Sequence, residues 1–201
     1  MRMLNIIIFM MLAFASSYNG IAGPKLISKS KVLDEFAACI AKQYPNAARE
    51  FLKTQIGSKE ELKAADSLVE RGDQCMGGRA VLSMHTGQIR GSFAQALLVV
   101  DTDRADRIAR QMPAQPQRIE VSEGRAFVAD FANCIAKSAP QRSLELIRSE
   151  RASTAERQAV LALAEEMKAC MPQGLAYPLN IPDVRNHVAD ALYRMSETGN
   201  A

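Results

Sequence analysis

Phe36-Ala37-Ala38-Cys39-Ile40-Ala41-Lys42-Gln43-Tyr44-Pro45 recurs as Phe131-Ala132-Asn133-Cys134-Ile135-Ala136-Lys137-Ser138-Ala139-Pro140, a shift of 95 residues. The same shift carries Glu50 onto Glu145, Ser58 onto Ser153, Glu61 onto Glu156, Ala64 onto Ala159 and Leu68 onto Leu163. Cys75-Met76 falls on Cys170-Met171, and Arg90, Ala94, Ala96 and Leu97 fall on Arg185, Ala189, Ala191 and Leu192. No gap is needed between Phe36 and Leu97. Shared composition would match a few alanines and leucines, but not also both cysteines, the proline, the arginine and a Ser–Glu pair. The chain is one module written twice.

Within the module the period is helical. Leu33, Phe36, Ala37 and Ile40 follow the i, i+3, i+4, i+7 spacing of a buried stripe. Pro45 ends or restarts that helix, since proline suits a first turn and disrupts an interior. Ser58 with Glu61, and Ser153 with Glu156, read as capping boxes opening the next helix. Along it Leu62, Ala65, Leu68, Val69 and Cys75 fall near one face, and Gly77-Gly78 ends it. A last helix turns Ile89, Phe93, Ala96, Leu97 and Val100 inward; its second copy begins at Asn180 with Pro182 early. No strand-like alternation runs far enough to matter. The expected fold is all-α, two disulfide-stapled helical modules packed as a tandem repeat.

The start of the chain bears on the cysteines. Met1-Arg2 is a short positive leader, Leu4–Ala15 is apolar apart from Asn5, and Gly20-Ile21-Ala22 supplies small residues. That is the layout of a secretory signal peptide cleaved after Ala22, with Ala15 as the alternative. The apolar run is shorter than the roughly 20 residues of a membrane span. Export to a periplasmic or extracellular space lets thiols oxidise, and four cysteines fit complete pairing. Three pairings are open to four cysteines. A single ancestral module had to satisfy its own two, which selects Cys39–Cys75 and Cys134–Cys170. Each closes a loop that the chain-entropy treatment values at roughly 4 kcal/mol. The expected organisation is a leader (1–22), a flexible tail (23–31), module one (32–100), a helical extension and linker (101–123) and module two (124–201).

Composition excludes more than it proposes. The net charge of +3 is spread along the chain, and no basic block lies outside Lys25–Lys31, which argues against nucleic acid as a partner. Tryptophan is absent and aromatics make up 5% of residues, too few for a base-stacking or carbohydrate platform. The cysteines lack the close spacing of a zinc site, so no metal and no cofactor is expected. Ser28-Lys29-Ser30-Lys31 contains a Ser-x-x-Lys string without companion motifs. His85 and His187 do not align under the shift and read as loop or helix-surface residues. No catalytic constellation is present.

Arg90 and Arg185 are the remaining candidates, because both survive in copies that have otherwise diverged. Two readings stand. One is an ion pair inside each module, with Glu35 and Asp130 as partners. The other is a paired clamp for an anion or a partner's carboxylate, facing a groove between modules.

The Phe-Ala-x-Cys-Ile-Ala-Lys frame, the 36-residue cysteine step and the closing Arg-x-x-x-Ala-x-Ala-Leu resemble a family of uncharacterised exported alphaproteobacterial helical proteins with a duplicated Cys-x35-Cys module. The resemblance covers 32–100 and 127–195. It implies export and a helical repeat, and brings no activity with it. The first copy departs at Gly91 and Leu98, where the second has Asn186 and Tyr193. The expected function is a non-enzymatic periplasmic interaction or binding module for a peptide, a protein or a small apolar ligand. No membrane contact is expected after leader removal, and the oligomeric state is open. The alternative is a small cell-envelope hydrolase or hydrolase inhibitor built around a histidine.

Overall fold

Helix boundaries repeat along with the residues that cause them. The computed structural model describes residues 28–76, 86–120, 124–174 and 180–198, and the regular elements among them are all helical. In the first module α1 spans Lys29–Gln43, α2 Pro45–Lys53 and α3 Lys59–Arg71. A 3-10 turn, Asp73–Met76, then carries Cys75, and α4 runs Thr86–Val100. The extension forms α5, Thr102–Ala109. In the second module α6 is Gly124–Ser138, α7 Pro140–Arg148, α8 Thr154–Ala162, α9 Ala164–Cys170 and α10 Ile181–Thr198. Under the 95-residue shift α1 and α2 land on α6 and α7 residue for residue.

The caps explain the coincidence. Pro45 and Pro140 open α2 and α7, where a missing N–H costs nothing. The hydroxyls of Ser58 and Ser153 accept from the amides of Glu61 and Glu156 at 3.0 and 3.1 Å. Asn180 caps α10, its side-chain oxygen accepting from Asp183 N–H at 2.9 Å. Ser28 caps α1 in the same way, accepting from Lys31 N–H at 3.3 Å. The Ser-x-x-Lys string is therefore a helix start, and Lys29–Lys31 belong to α1 rather than to a flexible tail.

Other boundaries and faces differ from expectation. The helix expected to carry Cys75 ends at Arg71, so Cys75 sits in the 3-10 turn beyond it; Gly77-Gly78 lie outside the described residues. A Cβ on Gly72 would lie 2.4 Å from the Phe36 ring, so glycine is what allows the chain to turn tightly over α1 there. In the second module Met167 occupies that position, and the helix breaks earlier, at Leu163, leaving Met167 buried within α9. Leu62, Val69 and Val100 are exposed. The inward face of α3 is instead Glu61, Ala65 and Leu68.

Both staples form as the duplication requires, Cys39–Cys75 and Cys134–Cys170, each across 36 residues with Cα atoms 5.6 and 6.0 Å apart. One contiguous cluster of buried side chains runs through both modules. Phe93 stands edge-on to Phe36 and Phe51 in the first, with ring centroids 6.0 and 5.8 Å apart. The second closes around Ile135, Leu144, Leu146 and Val188. The two modules meet chiefly through α4 against α10, while α1 covers α4 as α6 covers α10. The extension breaks this symmetry: α5 crosses to pack on α7 and α10, and Arg104 pairs with Glu197 over the Tyr193 ring. Among the described residues no helix is long and apolar enough to cross a membrane.

Candidate functional site

Helices leave their last carbonyls without partners. In this protein the conserved arginines supply them. Arg90, projecting from α4, donates to the carbonyls of Phe51, Leu52 and Thr54 at the end of α2, the Leu52 bond being 2.6 Å. Arg185 repeats the pattern from α10, donating to Leu146, Ile147 and Ser149 at the end of α7 at 2.7 to 2.9 Å. Each also reaches the capping-box glutamate of the next helix, Glu61 at 3.4 Å and Glu156 at 3.2 Å. The two guanidinium groups are 2% and 1% exposed. Burial, together with the like charge of Arg151 nearby, pushes the Arg185 guanidinium below its ordinary value.

Glu61 and Glu156 thus do two things at once. Their side chains accept from the Gly57 and Ala152 amides at 2.8 and 2.7 Å, closing the helix start, and they neutralise a buried cation. The carboxylates paired with the arginines are these two, with Asp190 added on Arg90, in place of the expected Glu35 and Asp130. Every guanidinium nitrogen of both arginines donates to a carbonyl or side chain of the fold. The shift had already aligned Glu61 with Glu156, but a capping box is a local explanation that hid the second role.

Across the interface the pattern is that of a pseudo-twofold axis. Arg90 Nε donates to Asp190 at 3.3 Å, and Arg185 Nε donates to Gln95 at 3.0 Å. Asp190 and Gln95 are equivalents under the shift, so each arginine meets the other module at the same position. Where the axis passes, a residue meets its own copy. A Cβ on Gly91 would fall 2.4 Å from Cα of Asn186, its equivalent. That position can carry one side chain, not two, which accounts for the departure at Gly91.

Away from the axis the two sides have diverged. Beside Glu61, Arg125 of α6 lays a two-pronged pair on the carboxylate, at 2.6 and 2.9 Å. Burial acts to raise the Glu61 carboxyl, but the hydrogen bonds from Arg125 and Gly57 and the charges of Arg125 and Arg90 outweigh it and hold it below the usual range. The equivalent of Arg125 is Ser30, whose short side chain does not fill the corresponding space. A cleft of about 560 Å³ opens there, with Ser30, Glu156 and Arg185 among its lining residues. Its floor toward the axis is Arg151, which pairs with Asp34 and donates to Asn186 at 2.9 Å. Ser92 donates to the same Asp34 at 2.7 Å. Both modules contribute walls, α1 and α4 from one and the α7–α8 corner and α10 from the other.

His187 lies half-buried on α10, and burial holds its imidazole below the ordinary value despite Asp183 and Asp190. His85 lies outside the described residues. Among the described residues no group of three or more His, Cys, Asp or Glu side chains could hold a metal ion. Comparison with protein-family models, curated proteins and solved structures returned no match. The fold and its two staples therefore define the class on their own: a duplicated all-α protein, oxidised in each half, of the kind that suits an oxidising extracellular or periplasmic compartment.

Proposed function

We propose that this chain is an exported, non-enzymatic binding module, released by leader cleavage after Ala22 into a periplasmic or extracellular space, and that its ligand-facing surface is the cleft beside Glu156. One observation carries the reading. The scaffold around the cleft repeats, but its lining does not: Ser30, Asp34, Arg151 and Arg157 stand where the other side has Arg125, Ala129, Ile56 and Leu62. The space that Arg125 fills against Glu61 in the first module is left open against Glu156 by Ser30 in the second. The volume of about 560 Å³ falls in the range of small-ligand and side-chain pockets. Charged side chains set among apolar surface in its wall suit a peptide, a protein segment or a small molecule with both polar and apolar parts.

Native, non-reducing mass spectrometry of the mature chain purified from its own cell envelope tests this. The expected result is a mass four hydrogens below the reduced value with a reproducible adduct, and loss of that adduct in Ser30→Arg, which fills the cleft. An adduct that persists in Ser30→Arg places binding elsewhere and overturns the reading.

A further inference from the structure

We infer that the cleft takes a guanidinium group, with the Glu156 carboxylate as its anchor; this rests on the reading of the cleft as a binding site. The first module holds the filled form of the same arrangement. There each oxygen of Glu61 accepts two hydrogen bonds: Oε1 from Arg90 and Arg125, Oε2 from Gly57 N–H and Arg125. Among the described residues Oε1 of Glu156 accepts from Arg185 and Oε2 from Ala152 N–H, one bond each. A carboxylate oxygen has room for two. Glu156, 4% exposed, therefore keeps one unmet acceptor on each oxygen, and its equivalent shows what fits: a planar fork with parallel donors. An ammonium is a point donor and does not span both oxygens.

An anion fits this wall less well. The N–H groups of Arg185 already meet Gln95, Glu156 and the carbonyls that end α7, and Arg151 is engaged by Asp34 and Asn186. The charges left over at the rim, Lys31, Arg157 and Glu150, are exposed and sum to one positive charge. Like charge there would oppose a bare guanidinium, so the ligand that fits best carries a carboxylate of its own a few ångströms from the fork. Free arginine has this chemistry, and so does an arginine beside an acidic residue in a partner's loop.

Calorimetric titration of the oxidised full chain decides between outcomes. L-arginine should bind saturably at one site, agmatine (the same fork without the carboxylate) more weakly by about tenfold, the strength of one lost charge-assisted hydrogen bond, and L-citrulline, a neutral isostere, not at all. Ser30→Arg should abolish arginine binding while raising the melting temperature, because it rebuilds in the second module the pair that Arg125 makes in the first. Arg125→Ser should gain a second arginine site. Glu156→Gln weakens the fold as well as the site, which is why Ser30→Arg is the deciding variant. An acetyl-Asp-Arg-amide peptide that binds more than tenfold tighter than arginine points to a protein partner; equal affinity points to the free amino acid. Equal binding of arginine and citrulline, or arginine binding that survives Ser30→Arg, overturns the assignment. If the arginine series fails while an envelope-derived adduct is still displaced by Ser30→Arg, the cleft stands as a binding site and only the guanidinium is wrong.

Discussion

The two modules share the staple, the caps and the arginine stitch that close each on itself, and differ in much of what lies between them. Cys39–Cys75, the Pro45 helix start, the Ser58–Glu61 cap and the Arg90 stitch all have partners 95 residues on. Gly91, Asp34, Arg125 and Arg151 do not, and each of these touches the other module. A duplicated interface forces this. Positions on the axis face themselves, so identical side chains compete for one space, and positions off the axis come in two copies, one of which can change while the other keeps the contact. Divergence where the halves meet changes the contacts between them, and the open cleft beside Glu156 is one product of it.

The equivalent arginines are the largest test of that contrast. Removing Arg185 leaves Glu156 buried with a backbone amide as its remaining partner and exposes the carbonyl ends of α7. Breaking such a pair costs about 3–5 kcal/mol, and Arg185→Ala should lie at the upper end. Arg90→Ala leaves Glu61 paired to Arg125 and should lie at the lower end. Urea unfolding of both variants measures the difference. Equal losses, or a larger loss for Arg90→Ala, would show that Arg125 does not share the load.

The staples should behave alike instead. Each closes the same length of chain, so replacing either pair by serine should cost about 4 kcal/mol. Since one core spans both modules, either double variant should unfold the whole chain in a single transition. Two separate transitions by circular dichroism and disulfide-sensitive proteolysis would mean that the halves fold independently.

Gly91→Ala puts a methyl group into the backbone of α10 and should cost about 1–3 kcal/mol, the usual penalty for overpacking. Pairing it with Asn186→Gly tests the axis. Asn186→Gly removes the Cβ contact but leaves Asn186 Cα and carbonyl oxygen as close as before, so the double variant should recover only part of the loss; no recovery at all would mean that the backbone alone sets the clash.

Much of this fold was legible in the residues, and the reason is repetition. The caps, the prolines and the cysteine pairing act within a few turns or within one module, so each leaves a local mark and leaves it twice. The contacts between modules leave none. Asp34 and Arg151 are 117 residues apart, Glu61 and Arg125 64 apart, and no period or cap connects them. Glu61 was visible as a cap and invisible as a counter-ion, because a local role was enough to account for it. Val100 failed for a related reason: it keeps the helical stripe of α4, but the chain turns into α5 one residue later, capped by Asp101, and leaves it exposed.

Acid tests the environment of Glu61. The folded-state depression of Glu61 means its contribution is full above the unfolded carboxylate range near pH 4.3 and is lost as pH falls through the lower folded value. Arg125→Ser removes the largest influence holding that carboxyl down, so the acid-unfolding midpoint should move to higher pH. An unchanged midpoint in Arg125→Ser would show that Gly57 N–H and Arg90 alone set the Glu61 carboxyl.

The smallest difference concerns one backbone angle. Gly57 and Ala152 are equivalents, and both take left-handed φ, 84° and 57°, so that their amides can point at the glutamate of the cap. Glycine adopts that region freely, whereas alanine carries about 1–2 kcal/mol of steric cost there. Ala152→Gly relieves the cost but loosens the unfolded chain by about 0.4–1 kcal/mol, so the net gain should be about 0.5 kcal/mol. Gly57→Ala runs in reverse and costs more than that gain, since its φ lies further from the alanine minimum near 57°. Thermal melts of the two single variants resolve effects of this size. A loss in Ala152→Gly would mean that the Ala152 methyl, which lines the cleft beside Glu156, contributes more by contact than the strained angle takes away.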